Sequence, residues 1–182
     1  MRHLRLNLTT MALATSTLAA FTLAMAACSP AFNWRDVRPD DTRLSLLMPC
    51  KPDKAEKTVP LGSQPTSLRM LGCDAGGLTF AISSADIGSA AQVPSVLAAW
   101  QKATLANMQA AKADRTTPLK LAGASGGQGV WLKATGKRAD GTAVVGYAAY
   151  FAQDATVFQA VIYGADIKAD VADTYFSGLK FE

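Results

Sequence analysis

The stretch VPSVLAAWQKATLANMQAAKA, residues 93–113, decides the fold because it is the one long helical segment and has strand-like sequence on both sides. Pro94 suits the first turn of a helix, where its missing N–H is not needed. The many alanines favour helix strongly. One side of the predicted helix carries Leu97, Trp100, Thr104 and Met108, and the opposite side carries Ser95, Lys102 and Gln109. We therefore expect one amphipathic helix that packs over a sheet.

Short strand-like runs precede this helix, and sequences rich in Gly, Pro and Asp separate them. The runs are RLSLLMP (43–49), KAEKTVPL (54–61), TSLRML (66–71) and LTFAISSA (78–85). They predict an antiparallel meander of three or four strands. In CKPDKAEK (50–57), Lys51, Lys54 and Lys57 alternate with acidic residues, which is typical of a solvated strand edge. A patch that faces lipid headgroups is the alternative.

Four more strand-like runs follow the helix: LKLAG (119–123), GVWLKATG (129–136), GTAVVGYAAYFA (141–152) and VFQAVIYG (157–164). Asp140-Gly141 is a hairpin signal, and residues 153–156 form a weaker one. Residues 165–179 predict a short helix whose inward side carries Ile167, Val171, and Tyr175 or Phe176. This order predicts an α+β fold. We expect an antiparallel β-sheet of about six to seven strands, with one long and one short C-terminal helix packed on one face.

The first 27 residues have the layout of a signal peptide. MRHLR (1–5) is a short basic region, and residues 6–27 are mildly apolar but contain five Thr and one Ser. Such a stretch is a poor permanent membrane helix. We predict a signal peptide at 1–27, a lipidated N-terminus and tether at 28–42, and a single α+β domain at 43–182. Within the tether, we expect Phe32 and Trp34 to dock on the domain; a position near lipid headgroups is the alternative.

The end of the signal peptide, Met25-Ala26-Ala27-Cys28, resembles the lipobox of bacterial lipoproteins. The resemblance implies that the Cys28 sulfur receives a diacylglyceryl group and the Cys28 amine a further acyl chain such as palmitate. Several acyl chains would anchor the domain stably in a lipid bilayer. Ser29, which is not Asp, points toward the outer membrane in the family sorting pattern. The alternative is cleavage after Ala26, which would leave a diffusible periplasmic protein with a free thiol.

Composition argues against several classes of function. From Cys28 onward the chain has 16 Lys and Arg against 14 Asp and Glu, since Arg2 and Arg5 lie in the leader. This surplus of two positive charges is too small to indicate nucleic-acid binding. The single histidine, His3, is also in the leader, so the rest of the chain offers no Ser-His-Asp triad, Cys-His pair or imidazole zinc site. We predict no enzyme, no metal site and no cofactor, although a Ser-Lys dyad stays open.

Four segments resemble an uncharacterised group of proteobacterial lipoproteins: FNWRDVR (32–38), LLMPCKPDKAEKTVPL (46–61), MLGCDAGGLTFA (70–81) and YFSGLKF (175–181). This resemblance implies an envelope location and brings no known activity. The order of elements is also similar to the photosystem II extrinsic subunit P-like superfamily, with LLMPCKPD (46–53) and TYFSGLKF (174–181) as the matching pieces. In that layout Cys50 ends the first strand and Cys73 lies near the end of the third. It implies a structural disulfide between them, with a redox pair as the alternative.

Two functions follow as hypotheses. The first is a lipoprotein on the periplasmic side of the outer membrane, held to the bilayer through Cys28, that binds an unidentified envelope protein. An exposed apolar patch on the sheet face away from the long helix would support this hypothesis. The second is a periplasmic carrier or sensor for a small apolar ligand. Its pocket would lie between sheet and long helix and would be lined by Trp100, Trp131, Tyr147 and Phe158. The simpler interpretation of these aromatic residues is that they belong to the core.

Overall fold

A computed structural model describes residues 30–61, 64–125 and 129–182 of the chain. One compact unit spans Phe32–Glu182. The predicted signal peptide and Cys28 lie outside the described residues.

The described residues form ten strands and two α-helices. In chain order they are β1 (Arg35–Val37), β2 (Leu44–Met48), β3 (Asp53–Leu61), β4 (Gln64–Ala75), β5 (Leu78–Asp86), α1 (Val93–Asn107), β6 (Arg115–Leu119), β7 (Gly129–Lys137), β8 (Ala143–Gln153), β9 (Thr156–Gly164), α2 (Ala169–Ser177) and β10 (Lys180–Phe181). A short 3-10 turn, Ala90–Gln92, leads into α1.

Seven of the strands form one antiparallel sheet in the order β3-β4-β5-β9-β8-β7-β6. It consists of two meanders, one before α1 and one after it, joined where β5 pairs with β9 from Thr79↔Tyr163 to Asp86↔Thr156. The predicted α+β class and the antiparallel sheet of about seven strands are thereby confirmed.

The two helices lie on opposite faces of this sheet, so the prediction of both helices on one face is wrong. Helix α1 packs over β8 and β9. Helix α2 lies on the other face, where the Tyr175 hydroxyl donates a hydrogen bond to the Ala81 carbonyl oxygen at 2.8 Å. Because α1 already covers β8 and β9 on its face, the chain leaving β9 buries its apolar helix on the opposite face of these strands.

A second sheet of three strands, in the order β1-β2-β10, shares that face with α2. The first predicted strand, β2, therefore belongs to this small sheet and not to the meander. Its residues Leu44, Leu46 and Met48 are no more than 1% exposed, because they pack against the apolar side of the large sheet. A buried strand of this kind carries apolar residues like those of a meander strand, so its sequence does not reveal the separate sheet.

The folded unit begins earlier than the predicted boundary at residue 43. Residues 35–37 pair with β2, and the Asn33 N–H donates to the Pro49 carbonyl oxygen at 2.7 Å. The rings of Phe32 and Trp34 pack edge-on against Phe80, which confirms the expected docking of these two residues. This leaves a shorter connection to Cys28 than the tether predicted over 28–42.

The strand predicted at 119–123 is instead Arg115–Leu119, and it includes Pro118. Proline cannot donate a hydrogen bond to a neighbouring strand, so within sheets it is found mainly in edge strands. Strand β6 is such an edge, since it pairs with β7 alone.

Helix α1 ends at Asn107, six residues before the predicted end. The backbone of Gln109 has a φ of 50°, which a continuing helix does not allow. Met108 is held in place there, because its carbonyl oxygen accepts a hydrogen bond from the Lys137 N–H at 2.7 Å. Two glycines, Gly136 and Gly146, leave room for the Met108 backbone and side chain against the sheet.

A first prediction concerns this close approach. A methyl group at Gly136 would overlap the Met108 carbonyl oxygen, whereas one at Gly72, in strand β4, would meet its nearest atom at 3.4 Å. We expect Gly136→Ala to lower the free energy of unfolding by about 1–3 kcal/mol, as overpacking does. The matched variant Gly72→Ala is expected to change it by less than about 0.5 kcal/mol. Urea unfolding of both variants checks this, and an equal effect at the two positions would contradict it.

A second prediction concerns Glu182, whose carboxylate lies beside the amino group of Lys180 at 3.1 Å and the guanidinium of Arg38. The hydrogen bond from Lys180, with a smaller contribution from Arg38, holds the pKa of Glu182 below its ordinary value of 4.5. A lowered carboxyl pKa stabilises the fold above the unfolded-state pKa, and this contribution disappears as the pH falls through the folded-state value.

We expect Lys180→Gln to raise the pKa of Glu182 toward 4.5 in an NMR titration of its carboxyl carbon. Lys102→Gln, on the exposed side of α1, is the control and should leave that pKa unchanged. No change in the Lys180 variant would show that the ion pair does not form in solution.

Candidate functional site

The feature of the fold that offers a binding surface is the free end of the β3–β4 hairpin. Pairing between β4 and β5 begins only at Arg69↔Ser84, whereas β3 and β4 stay paired out to Leu61↔Gln64. The hairpin therefore extends beyond its pairing with β5. We call residues 57–61 and 64–68 the arm. Strand β3 is an edge strand, and most of its side chains are exposed.

The side of the arm that faces α1 borders an apolar groove of about 470 Å³. The groove is open to solvent, and we call it the arm–helix groove. It is lined by Pro60, Leu61, Gln92, Ser95, Val96, Ala99, Trp100 and Ala103. On the α1 wall, Ala99 and Ala103 are exposed and Trp100 is half-buried. Together with Leu61 and Pro60 on the arm, they would give a bound molecule apolar contacts on both walls.

A buried polar network holds the α1 wall of this groove against the sheet. The Gln159 side-chain amide donates to the Thr104 hydroxyl at 2.8 Å and to the Tyr150 hydroxyl at 3.0 Å. Thr104 in turn donates to the Trp100 carbonyl oxygen at 3.1 Å. Burial raises the pKa of Tyr150, so its hydroxyl stays protonated at neutral pH. These bonds fix the rotation of α1 and hence the position of Trp100.

The other side of the hairpin is charged. Lys54 forms an ion pair with Asp40 at 2.6 Å, and Arg69 forms one with Asp41 at 2.8 Å. All four side chains are about half exposed or more, so these pairs contribute little to stability. They fasten the loop after β1 to the hairpin, beside a small pocket of about 210 Å³. The hairpin thus presents Leu61 and Leu68, together with Lys57, on the side toward α1, and its ion-paired residues Lys54 and Arg69 on the other side.

The four aromatic residues predicted to line one pocket are not brought together. Trp100 lies on the α1 side of the sheet, whereas Trp131, Tyr147 and Phe158 lie on the opposite side. Strand side chains alternate between the two faces of a sheet, so in β8 Tyr147 and Tyr150 point to opposite faces. Trp100 packs against Tyr150, with the ring centroids 6.2 Å apart. The prediction of a single aromatic pocket between sheet and helix is therefore wrong.

The three residues on the far side belong to close packing. Phe158 is 1% exposed and stacks on Phe151, with the ring centroids 5.2 Å apart. Trp131 and Tyr147 are half-buried and pack edge-on at 5.2 Å. Trp131 also contacts Phe176 of α2. For these three residues the simpler interpretation, that they are core, is confirmed.

In the described residues, the sheet face away from the long helix is covered, so it does not offer the apolar patch that would support the protein-binding hypothesis. Strands β1, β2 and β10 and helix α2 cover that face, and their apolar residues complete its core. The arm–helix groove lies on the other face. The local sequence around Pro60 and Leu61 predicts a strand and gives no sign that these two residues line a groove.

Cys50 and Cys73 form a disulfide, with their Cα atoms 6.1 Å apart. The bond joins the segment after β2 to β4, and so it ties the small sheet to the large one. The predicted pairing is confirmed. Cys28, the predicted lipidation site, lies outside the described residues. Within the described ranges, no group of three or more His, Cys, Asp or Glu side chains is placed to hold a metal ion, and no helix could cross a membrane.

Comparisons with known proteins add no function. No family model matches the chain, and no curated protein matches it. Among solved structures, it is similar to a protein of unknown function from Pseudomonas aeruginosa, with 16% sequence identity and a TM-score of 0.39. That match covers 72% of this chain and 83% of the other.

A third prediction concerns the disulfide. The closed loop runs from Cys50 to Cys73, and chain entropy for a loop of this length predicts a stabilisation of about 3 kcal/mol. We expect the double variant Cys50→Ser, Cys73→Ser to lose about that much in urea unfolding, because its unfolded state is less restricted. The singly substituted chains provide no matched control, since each leaves a free thiol. A double variant as stable as the parent would contradict the entropic account.

Proposed function

We propose that this protein is a non-enzymatic lipoprotein of the bacterial envelope that acts by binding another envelope protein. In this proposal an acylated Cys28 holds it at the outer membrane, facing the periplasm. The observation that carries the binding role is the arm–helix groove, whose two walls present apolar side chains to solvent. Apolar surface left exposed beside a polar rim is typical of protein-binding sites.

The lining of the groove suits a helix of the partner. On α1 the side chains that face the groove beside Trp100 are small, so a second helix can approach the α1 backbone closely. Leu61 and Pro60 form the other wall and can pack against the far side of such a helix. An amphipathic helix that lies in an apolar groove is a common mode of recognition.

The anchor is supported by the cysteines. Cys50 and Cys73 are bonded to each other, which leaves Cys28 as the third cysteine of the chain. An unpaired thiol is unusual in an oxidising compartment. Acylation at Cys28 removes the thiol and supplies the membrane attachment in one step.

A fourth prediction tests the groove in cells. A photoreactive amino acid at Ala103 should form a discrete protein adduct on irradiation, because Ala103 lines the groove. Ala99→Arg should abolish this adduct, since a charged side chain would fill the groove. Ala98→Arg is the matched control: Ala98 is also exposed but does not line the groove, and the adduct should persist. Absence of any adduct, or its loss in both variants, would count against the proposal.

The small-ligand carrier stays as a second candidate because Trp100 lines a groove large enough for an apolar ligand. In that case irradiation would add a few hundred daltons, on the order of one drug-sized ligand, to the intact mass instead of a protein partner. Both the protein adduct and the small adduct would be sensitive to Ala99→Arg, so the mass of the adduct distinguishes the two functions.

A further inference from the structure

The short connection between Cys28 and the folded unit constrains how the domain meets the membrane. Packing is continuous from Phe32 onward. Phe32 is the fourth residue after Cys28, so the two Cα atoms can be at most about 14 Å apart. If Cys28 carries lipid, as the proposed function holds, its Cα lies at the membrane surface and Phe32 lies close to it.

Phe32 is fixed at one particular end of the large sheet. Its ring lies directly over Gly76 in the turn between β4 and β5, and it stacks on Trp34 with the centroids 5.8 Å apart. The Asn33–Pro49 hydrogen bond holds the same segment against the residue that precedes Cys50. Phe32, Trp34 and the turn at residues 75–78 form what we call the anchor end.

The anchor end has a surface suited to lipid headgroups. Phe32 and Trp34 are both half-buried and lie beside the exposed Gly76 and Gly77. Aromatic rings of this kind favour the boundary between water and hydrocarbon, and tryptophan does so especially because its N–H can stay hydrated.

The arm lies at the opposite end of the same strands. Strand β4 runs from Gln64 to Ala75, which corresponds to roughly 35 Å of extended backbone. The 3-10 turn before α1 is at the arm's end too, because it follows the last residues of β5. If the anchor end contacts the membrane, the arm is therefore at the end of the domain that points away from the membrane.

We propose that the anchor end rests on the lipid surface itself, held there by the three-residue connection Ser29–Ala31. The strands then stand away from the membrane and place Leu61, at the end of the arm, roughly 35 Å out. The arm–helix groove, which extends from Leu61 along α1 to Ala103, then faces the periplasm. This inference rests on the lipidation of Cys28 in the proposed function, and it adds the surface that faces the bilayer and the direction in which the partner is met.

The test uses the full lipidated protein in vesicles of phosphatidylethanolamine and phosphatidylglycerol with nitroxide-labelled headgroups. A fluorophore is placed on Thr79→Cys, beside the turn of the anchor end, or on Ala91→Cys, at the arm's end. Both positions are exposed. We expect the label at 79 to lose most of its fluorescence and the label at 91 to lose almost none, because nitroxide quenching requires close approach. Equal quenching, or stronger quenching at 91, would overturn the inference.

A spacer variant tests whether the short connection to Cys28 is what holds the anchor end at the membrane. A flexible Gly-Ser insertion of about 12 residues between Ala31 and Phe32 spans roughly 20 Å and releases the domain from the surface. We expect quenching at 79 to fall to the level at 91 while flotation with the vesicles persists. Quenching at 79 that stays unchanged would overturn the role of the short connection.

Failure of the proposed function gives a different result. The intact mass of each preparation shows whether Cys28 carries acyl chains before any vesicle is added. An unlipidated Cys28 and a protein that does not float with vesicles would refute the anchor. A lipidated protein with equal quenching at 79 and 91 would refute only the seating of the anchor end.

Discussion

The pairing of β5 with β9 is the constraint on which the rest of the structure depends. Eight residue pairs join a meander that precedes α1 to a meander that follows it, and without them the chain would form two small sheets. The pairing places Phe80 and Ile82 beside Ile162 and Ala160 on one face, and Ala81 beside Val161 on the other. Because both faces of these central strands are apolar, each must be covered. Helix α1 covers one, and the small sheet with α2 covers the other.

The sequence predicts those parts of the fold that local patterns determine. The alternation of apolar residues locates six of the seven strands of the large sheet, and Asp140-Gly141 marks the β7–β8 hairpin, where Gly141 has a φ of 84°. The buried side of α1 is predicted in part, because Leu97 and Thr104 of the predicted apolar side are buried. In each of these cases the signal lies within about fifteen residues.

Arrangements set by distant contacts are not predictable in the same way. Helix α2 has the apolar side expected of it, but the choice of face depends on where α1 already lies. Residues 35–37 have no strand signal of their own and become a strand because β2 offers a free edge. The candidate site is of this second kind. Trp100 could be singled out from the sequence as an aromatic residue on a helix. The opposite wall, at Leu61, could not be predicted, because it depends on how far the hairpin extends beyond its pairing with β5.

The arm–helix groove follows from a mismatch between the width of the sheet and the width of its cover. Seven strands at about 4.8 Å spacing give a sheet roughly 29 Å wide between its outer strands, whereas a single helix is about 10 Å across and covers about two strands. Helix α1 lies over β8 and β9, so the strip formed by β3 and β4 is not under it. This strip carries the apolar residues Val59, Leu61 and Leu68, which are only half-buried. A strip that contacts only solvent would carry polar residues instead. A helix that lay beside α1 would complete the cover, which is why we place the partner there and not on the opposite face.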